Sequence, residues 1–372
     1  MNSILIFRSA GLGDFILSTP ALQKIRETFP DSTIILLTDS SRDASIRDRI
    51  SKYSINRSTY PWLELVTPHL VDRSLTLGSR LFDLSHLRSL RKQIRAAGVQ
   101  KVFLLLDPCT PYLGRLKKMA LLFFLVGVKP IYGWRSKGSL GSNKVKLKAQ
   151  GLLKHHVWGP MESLLEFNPA LSFSSADIKF DLRPPKIASE WADEWISHHL
   201  KVGQKLIAIA PGSIQSHKRW PRESYISLIQ LILKKYTDVI LIIIGTPQDT
   251  DLGEEMQSLD SNRIFNLCGV SNILQSAALL KKTDILIAND GGAAHLGDAM
   301  GTQVISLIPG IEYEDSIEPW NNKHNSIRFP IACAPCYSFT SCPLVHNKCM
   351  TDITLESISA KIDTILGYFK IR

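Results

Sequence analysis

The chain carries two successive series in which apolar strands alternate with amphipathic helices. Runs of branched and aliphatic residues predict strands at 4–8, 33–38 and 101–106, and helical spacing of apolar residues predicts a helix over 15–29. The second series predicts strands at 205–210, 239–244, 284–288 and 303–308 and helices at 222–236, 272–282 and 293–300. Continuous apolar strands separated by helices are typical of parallel sheets covered on both faces. The sequence therefore predicts an α/β protein with two doubly wound, Rossmann-like sheets.

Two adjacent prolines mark the boundary between the series. The segment Arg183-Pro184-Pro185-Lys186 is stiff, and neither proline can join the interior of a sheet. We therefore predict a first domain over residues 1–183 and a second over 184–350. A final helix within 351–372 is expected to pack back on the domains through Leu355, Ile358, Ile362 and Ile365. The active site is expected in the cleft between the domains, where the strands of such sheets end.

Composition is that of a folded globular protein. Of the 372 residues, 44% are apolar and 21% are charged, which argues against disordered, collagen-like and membrane-spanning chains. The longest uncharged apolar run, residues 119–128, is half of the roughly 20 residues that a membrane-spanning helix needs. The first eight residues carry no secretory signal. We therefore expect a cytoplasmic protein whose six cysteines are reduced.

The net charge of +10 is unevenly distributed along the chain. Residues 1–183 carry 27 Lys or Arg against 14 Asp or Glu, whereas residues 184–372 carry 17 against 20. Between Asp107 and Glu162 there is no acid, and there are ten bases. Such a field attracts an anionic ligand or an anionic membrane surface, although a solvated basic face gives the same pattern. Within it, residues 117–128 suit either a membrane contact or a helix that covers the first sheet.

Three clusters of polar and small residues follow predicted strands. The first is Gly11-Leu12-Gly13-Asp14, in which the glycines leave room for a ligand and the acid lies at a strand-to-helix junction. Asp14 is either a catalytic group or a cap of the following helix. Ile16 stands where a dinucleotide-binding fingerprint has its third glycine, which argues against a nicotinamide cofactor.

The other two clusters offer groups that bind phosphate. Pro211-Gly212-Ser213, with Lys218-Arg219 beyond it, supplies a hydroxyl, backbone amides and two cations, which suits a diphosphate. Residues 289–295 read Asn-Asp-Gly-Gly-Ala-Ala-His and lie where a strand meets a helix, so the first amides of the helix favour phosphate. The structural alternatives are a surface turn for the first of these two clusters and a tightly packed strand-to-helix turn for the second.

Taken in this order, the three clusters resemble glycosyltransferase family 9, the bacterial heptosyltransferases. Two further segments share the resemblance, Ser18-Thr19-Pro20-Ala21-Leu22 and Cys349-Met350-Thr351-Asp352. The resemblance covers almost the whole chain. It implies a GT-B fold, in which two Rossmann-like domains face each other across a cleft. It also implies that a nucleotide sugar, typically ADP-heptose, binds the second domain, and that an acidic acceptor of the lipopolysaccharide core binds the first. The basic first half of the chain agrees with such an acceptor.

The resemblance also implies roles for single residues. Asp14 corresponds to the catalytic acid-base residue, on an acceptor-side loop with Gly11 and Gly13, and Lys218 corresponds to the phosphate-binding lysine. The other implied donor-binding residues are Ser213, Asp249, Asp290, Gly291, Gly292 and His295. The family usually has Ser or Thr where this chain has Gly291, so a hydroxyl contact to the donor is missing here.

Four cysteines form a second candidate site. Cys333, Cys336, Cys342 and Cys349 lie within seventeen residues, and in a reduced protein such a cluster suggests a structural zinc or iron ion. Free thiols and disulfides are the alternatives. Catalysis itself is expected to need no metal or other cofactor. Cys109 and Cys268 are expected to be inert thiols of the core.

These observations predict an inverting glycosyltransferase that moves a heptose, or a similar sugar, from a nucleotide diphosphate to an acidic saccharide. Transfer to a protein side chain is an alternative. A nucleic-acid-binding protein would also be basic, but it would interleave aromatic residues with its bases, and residues 115–154 do not show that pattern. A non-catalytic scaffold would lose the polar residues of the three clusters. We therefore expect no nucleic-acid partner, and a peripheral contact with the inner membrane is compatible with the charge.

Overall fold

The computed structural model describes residues 2–8, 11–38, 60–77, 84–106, 112–127, 129–134, 148–149, 151, 153–338 and 340–367. Its contacts divide the chain into two compact units, Met1–Arg183 and Pro184–Arg372. The division therefore falls at the paired prolines. Each unit contains its own parallel sheet.

The first unit contains the strands β1 (Ser3–Phe7), β2 (Thr33–Thr38), β3 (Arg73–Thr76), β4 (Val99–Leu104) and β5 (Ile131–Tyr132). Its helices are α1 (Leu12–Ile16), α2 (Thr19–Thr28), α3 (Leu84–Ala96), α4 (Tyr112–Val126) and α5 (Trp158–Phe167). The strands form a parallel sheet in the order β3-β2-β1-β4-β5. Burial explains why β1 is central, since all five of its residues are buried and only apolar side chains and Ser3 occupy it.

The predicted helix over 15–29 is wrong as one element, because the chain breaks it into α1 and α2. Pro20 has no N–H group, so it cannot donate to the carbonyl of Ile16 as a continuous helix requires. The hydroxyl of Thr19 donates to that carbonyl instead, at 2.8 Å, and the hydroxyl of Ser18 donates to the carbonyl of Phe15 at 2.6 Å. The break leaves α1 as a short helix that begins close to the end of β1.

The second unit contains the strands β6 (Lys205–Ala210), β7 (Val239–Ile243), β8 (Ile264–Asn266), β9 (Ile285–Asn289) and β10 (Gln303–Leu307). Its helices are α6 (Lys186–His199), α7 (Arg222–Lys235), α8 (Thr250–Ser258), α9 (Ile273–Leu280), α10 (Gly292–Met300), α11 (Lys348–Thr351) and α12 (Leu355–Leu366). The sheet is parallel in the order β10-β9-β6-β7-β8. Helix α12 packs on α7 and β10 and places Ile358 and Ile362 in the core of this unit.

The two sheets share one topology. In each, the first strand of the unit lies in the middle, the next two follow on one side, and the last two lie on the other side. The strand order therefore reverses beside the first strand, between β1 and β4 in one unit and between β6 and β9 in the other. Open α/β sheets bind ligands beyond the carboxyl ends of their strands at such a switch point. Among the described residues, no helix is both long and apolar enough to cross a bilayer.

Candidate functional site

A buried arginine organises the switch point of the first unit. Arg8 follows β1 and is 3% exposed. Its Nη1 donates to the carbonyl of Leu105, just past β4, at 3.0 Å, and its Nη2 donates to the carbonyl of Asp14 in α1 at 2.6 Å. One side chain thus ties the ends of the two central strands to α1. Sequence reasoning did not single out Arg8, because its role depends on the pairing of β1 with β4.

Asp14 lies in the first turn of α1, with an exposed side chain. The N-cap residue of α1 is Gly11. Asp14 therefore does not cap this helix, which was the alternative to a catalytic role. A Cβ atom added to Gly11 would meet nothing within 4 Å, and neither Gly11 nor Gly13 has a positive φ. The loop before α1 therefore leaves open space at Gly11, close to the exposed carboxylate of Asp14.

In the second unit, Asn289 joins the loops after β6 and β9. Its Nδ2 donates to the carbonyl of Pro211 at 2.7 Å, and its Oδ1 accepts the backbone N–H of Trp220 at 3.0 Å and the hydroxyl of Tyr225 at 3.1 Å. Asn289 is 2% exposed. A buried amide at the end of an apolar strand is the signal that could have identified this positioning role from sequence.

The two loops also meet through a salt bridge. The Nζ of Lys218 lies 2.8 Å from Oδ2 of Asp290, and the side chains are 17% and 6% exposed. On the same loop, the Nε of Arg219 donates to the carbonyl of Ser213 at 2.8 Å. An ammonium group has three donors, so Lys218 keeps two after it pairs with Asp290. The pair therefore presents a positioned cation, and Arg219 lies against Ser213 on the same loop.

Gly291 makes the turn into α10. Its φ of 156° and ψ of −165° belong to a region that is essentially restricted to glycine. The backbone conformation thus accounts for the glycine at the position where the resemblance leads one to expect Ser or Thr. Helix α10 begins at Gly292, and the first amides of a helix have no partner within it. They are available to an anion at this end of the sheet.

His295 lies one turn inside α10 and is 6% exposed. Within the described residues, its Nδ1 has no hydrogen-bond partner. Burial lowers the pKa of His295, although Asp290 and Asp298 act in the opposite direction. Burial therefore favours the neutral form of the imidazole, beside the charged pair of Lys218 and Asp290.

Asp249 lies against the loop after β6. Its Oδ2 accepts the backbone N–H of Thr246 at 2.9 Å and the Thr246 hydroxyl at 2.8 Å, which fixes a short turn after β7. A Cβ atom on Gly212 would lie 2.7 Å from the same oxygen, so Gly212 permits this close approach. The structure thus gathers the candidate donor-binding residues of the second unit at the carboxyl ends of its strands, whereas Asp14, Gly11 and Gly13 belong to the first unit.

The four clustered cysteines line one pocket, together with two histidines. The pocket is bordered by Cys333, Cys336, Cys342, Cys349, His217 and His346. The Sγ of Cys333 is 3.9 Å from Nε2 of His346. His217 is 9% exposed, and neither of its ring nitrogens has a hydrogen-bond partner within the described residues. No three His, Cys, Asp or Glu side chains in the described part of the chain are already arranged to hold a metal ion.

The remaining candidates have structural surroundings. Burial raises the pKa of Cys268 to about 12, in keeping with an inert thiol, whereas Cys109 lies outside the described residues. Within the acid-free basic stretch, His155 is 4% exposed, and its Nδ1 accepts the backbone N–H of Val157 at 3.1 Å. Of the basic stretch, residues 135–147 also lie outside the described ranges.

Comparison with known proteins agrees with this arrangement. The chain is 24% identical over 367 residues to lipooligosaccharide heptosyltransferase 2 of Campylobacter jejuni, with 98% of each protein covered. The structure is similar to that of a glycosyltransferase family 9 protein from Veillonella parvula, at a TM-score of 0.70 and 17% identity, covering 99% of this chain and 98% of the other. It is also similar to ADP-heptose lipopolysaccharide heptosyltransferase II of Escherichia coli, at a TM-score of 0.64 and 15% identity, covering 99% of each chain.

The structural similarity confirms the predicted GT-B fold class. The profile of the family described as glycosyltransferase family 9 (heptosyltransferase) matches residues 113–344, which are more than half of the sequence. The match includes the cluster around Lys218, the cluster around Asp290 and three of the four clustered cysteines. The chain therefore belongs to glycosyltransferase family 9, the heptosyltransferase family.

Proposed function

We propose that this family member transfers a heptose from ADP-heptose to an acidic saccharide of the lipopolysaccharide core, with inversion at the anomeric carbon and without a catalytic metal. The observation that carries the proposal is the Lys218–Asp290 pair, which lies beside the first amides of α10 at the switch point of the second sheet. Diphosphate is the group that such a combination of cation and helix N-terminus binds.

The donor side follows from the charges and hydrogen-bond donors of the second unit. The diphosphate would accept hydrogen bonds from the two remaining N–H groups of Lys218, from the hydroxyl of Ser213 and from the amides at Gly292. Asp290 keeps the ammonium group in place before the donor arrives. Asp249 would face the nucleoside, because it borders the same loop at Gly212. Neutral His295 would contact the donor without adding charge.

The acceptor side follows from Asp14. The proposed step forms a bond between the acceptor oxygen and the anomeric carbon while the bond from that carbon to the diphosphate oxygen breaks. The carboxylate of Asp14 takes the proton of the acceptor hydroxyl, and the leaving ADP keeps the bonding electron pair. Lys218 and the α10 amides stabilise the negative charge that develops on the leaving group. The proposal requires Asp14 to reach the acceptor while the second unit holds the donor.

The relatives support the choice of substrates. The protein from Campylobacter jejuni is named for lipooligosaccharide, and the Escherichia coli structure is named for ADP-heptose and lipopolysaccharide. The basic excess in residues 1–183 also favours a phosphorylated, acidic acceptor. A cytoplasmic location, where a nucleotide sugar is available, belongs to the same proposal.

A donor and acceptor assay tests this proposal. ADP-heptose is titrated by calorimetry against the chain, with UDP-N-acetylglucosamine as the comparison nucleotide sugar, and ADP release is then followed with a purified lipopolysaccharide core acceptor and with a peptide acceptor. We expect binding of ADP-heptose, release of ADP only with the core acceptor, an inverted anomer by NMR, and full activity without added magnesium or manganese. Transfer to the peptide alone would replace the proposed acceptor, and no binding of ADP-heptose would refute the proposal.

We also propose that the thiol pocket holds a structural zinc or iron ion. The support is the convergence of the four thiols on one pocket that is walled by His217, a buried side chain with unpartnered ring nitrogens. The described geometry does not already group three ligands, so the pocket must contract around the ion. Because His217 directly precedes Lys218, such an ion would anchor the loop that carries the donor-binding lysine.

Metal analysis of protein purified without a metal-binding tag tests the thiol pocket. We expect about one zinc or iron ion per chain, and we expect Cys336→Ser to lower both metal content and stability. Cys268→Ala is the control, because Cys268 is buried outside the cluster and its loss leaves the metal content unchanged. Metal-free protein with the stability of the metal-containing form would contradict the proposal.

A further inference from the structure

Two neighbouring helices of the first unit, α3 and α4, present an acid-free outer surface. Both helices pack inward on the same core, α3 through Leu87, Leu90 and Ile94 and α4 through Leu122, Leu125 and Val126. Helix α4 thus covers one face of the first sheet. A helix with only this task would be expected to place polar residues on its other side.

The outer side of α4 instead carries a stripe of large apolar side chains, next to the exposed Lys117. Leu116 is 41% exposed, Phe123 is 42% exposed and Phe124 is 40% exposed. With exposed Ala120 they follow the spacing of one helix face, and the two phenylalanines are the only ones that the described part of the chain exposes to this degree. A contiguous exposed stripe of large apolar side chains marks a surface that contacts something other than water.

A basic stripe on α3 borders the apolar stripe. The helix exposes Arg88, Lys92 and Arg95, and neither α3 nor α4 contains an acidic residue. Arg91 of α3 joins the two stripes, because its guanidinium carbon lies 4.7 Å from the centre of the Phe124 ring. Apolar side chains that insert and cations that line the same surface are the combination by which peripheral helices bind anionic bilayers.

We propose that this α3–α4 surface docks on an anionic lipid bilayer, with Leu116, Phe123 and Phe124 in the boundary between headgroups and acyl chains. Charge complementarity selects this occupant, since a second copy would bring two basic stripes together. A nucleic acid would neutralise the bases but would leave Leu116 and the two phenylalanines without apolar surroundings. The inference adds to the proposed function a means to reach a lipid-linked acceptor, while docking itself requires no transfer.

Vesicle sedimentation tests the docking surface. Vesicles of phosphatidylcholine are compared with vesicles that also contain phosphatidylglycerol, at low and high salt. The unaltered chain should sediment with the anionic vesicles at low salt and should dissociate from them at high salt. The double variant Phe123→Ser and Phe124→Ser should bind them at least about tenfold more weakly, because both rings lose apolar burial. The double variant Arg88→Glu and Lys92→Glu should lose the preference for anionic vesicles.

The matched control is Val202→Ser, which removes a fully exposed apolar side chain from the second unit and should leave vesicle binding unchanged. Equal binding by the phenylalanine variant and the unaltered chain would overturn the inference. So would a dimer in sedimentation that the phenylalanine variant abolishes, or binding of duplex DNA in preference to anionic vesicles. Titration of ADP-heptose on the same variants separates the two proposals, since failed docking with unchanged donor affinity leaves the proposed function intact.

Discussion

Lys218 and Asp290 form a nearly buried ion pair, with Nζ 2.8 Å from Oδ2, between the loop after β6 and the loop after β9. The two residues are far apart in sequence, and they meet because β6 and β9 pair in the sheet. Removing one partner of such a pair leaves the other charge uncompensated. The pair therefore couples the geometry of the loop after β6 to that of α10.

Lys218→Met should weaken binding of ADP-heptose and also slow turnover, because its charge meets the diphosphate both before and during its departure. We expect a loss of donor affinity of about tenfold or more, the contribution of one charge-assisted hydrogen bond. Calorimetric titration and steady-state kinetics measure the two effects. Lys205→Met is the control, since Lys205 pairs with Asp284 at the opposite end of the same sheet. Equal donor affinity in the two variants would exclude Lys218 from the diphosphate site.

Asp14→Asn keeps the shape of the side chain and removes the base. Turnover should fall by roughly two to four orders of magnitude while the affinity for ADP-heptose stays nearly constant, because Asp14 does not belong to the second unit, where the donor is proposed to bind. Asp31→Asn, an exposed aspartate elsewhere in the first unit, should have normal turnover. Near-normal turnover of Asp14→Asn would require a different base.

Gly291→Ala should strain the entry into α10. A Cβ atom would have space there, but the backbone conformation costs a non-glycine residue about 1–3 kcal/mol. We expect a lower free energy of unfolding and weaker donor binding, as the helix amides shift. Gly301 lies at the other end of the same helix and has a φ of 85°. Gly301→Ala should therefore destabilise the protein without lowering the affinity for ADP-heptose. Donor affinities that fall equally in both variants would show that the helix start has no special role.

Asn289→Leu should disrupt the joint between the loops after β6 and β9. The change leaves the carbonyl of Pro211, the N–H of Trp220 and the hydroxyl of Tyr225 without their partner in a buried region, at about 1–3 kcal/mol for each unsatisfied group. Chemical denaturation should show the loss. Asn262→Leu, at an exposed turn, is the comparison and should change stability little. Unchanged stability of Asn289→Leu would mean that the loops are held by other contacts.

The central strands could be predicted from the sequence because both of their faces are buried. β2 and β6 coincide with the predicted residues, and β1, β4, β7 and β9 differ from the predicted ranges by one or two residues at one or both ends. The edge strand β10 was also predicted and ends one residue earlier than expected. The other three edge strands, β3, β5 and β8, were not predicted. Each has two to four residues, and half-buried or exposed polar residues such as Arg73 and Asn266 weaken the apolar signal.

The candidate site was predictable in part for a related reason. Glycines, a lysine and a histidine that follow apolar strands are visible in the sequence, and the shared strand ends place those of the second unit together. Arg8 and Asn289 were not predicted as positioning residues, because their partners come from strands and loops that only the sheet order makes neighbours. Their hydrogen-bond partners lie up to 97 residues away in the chain.

The shared strand order of the two sheets has an evolutionary consequence. Each half is a self-contained module with its own sheet and its own hydrophobic core. Changes in the loops of one module need not disturb the core of the other. Lineages can therefore diversify one half while they retain the other, and a recombination point at Pro184-Pro185 would preserve both cores.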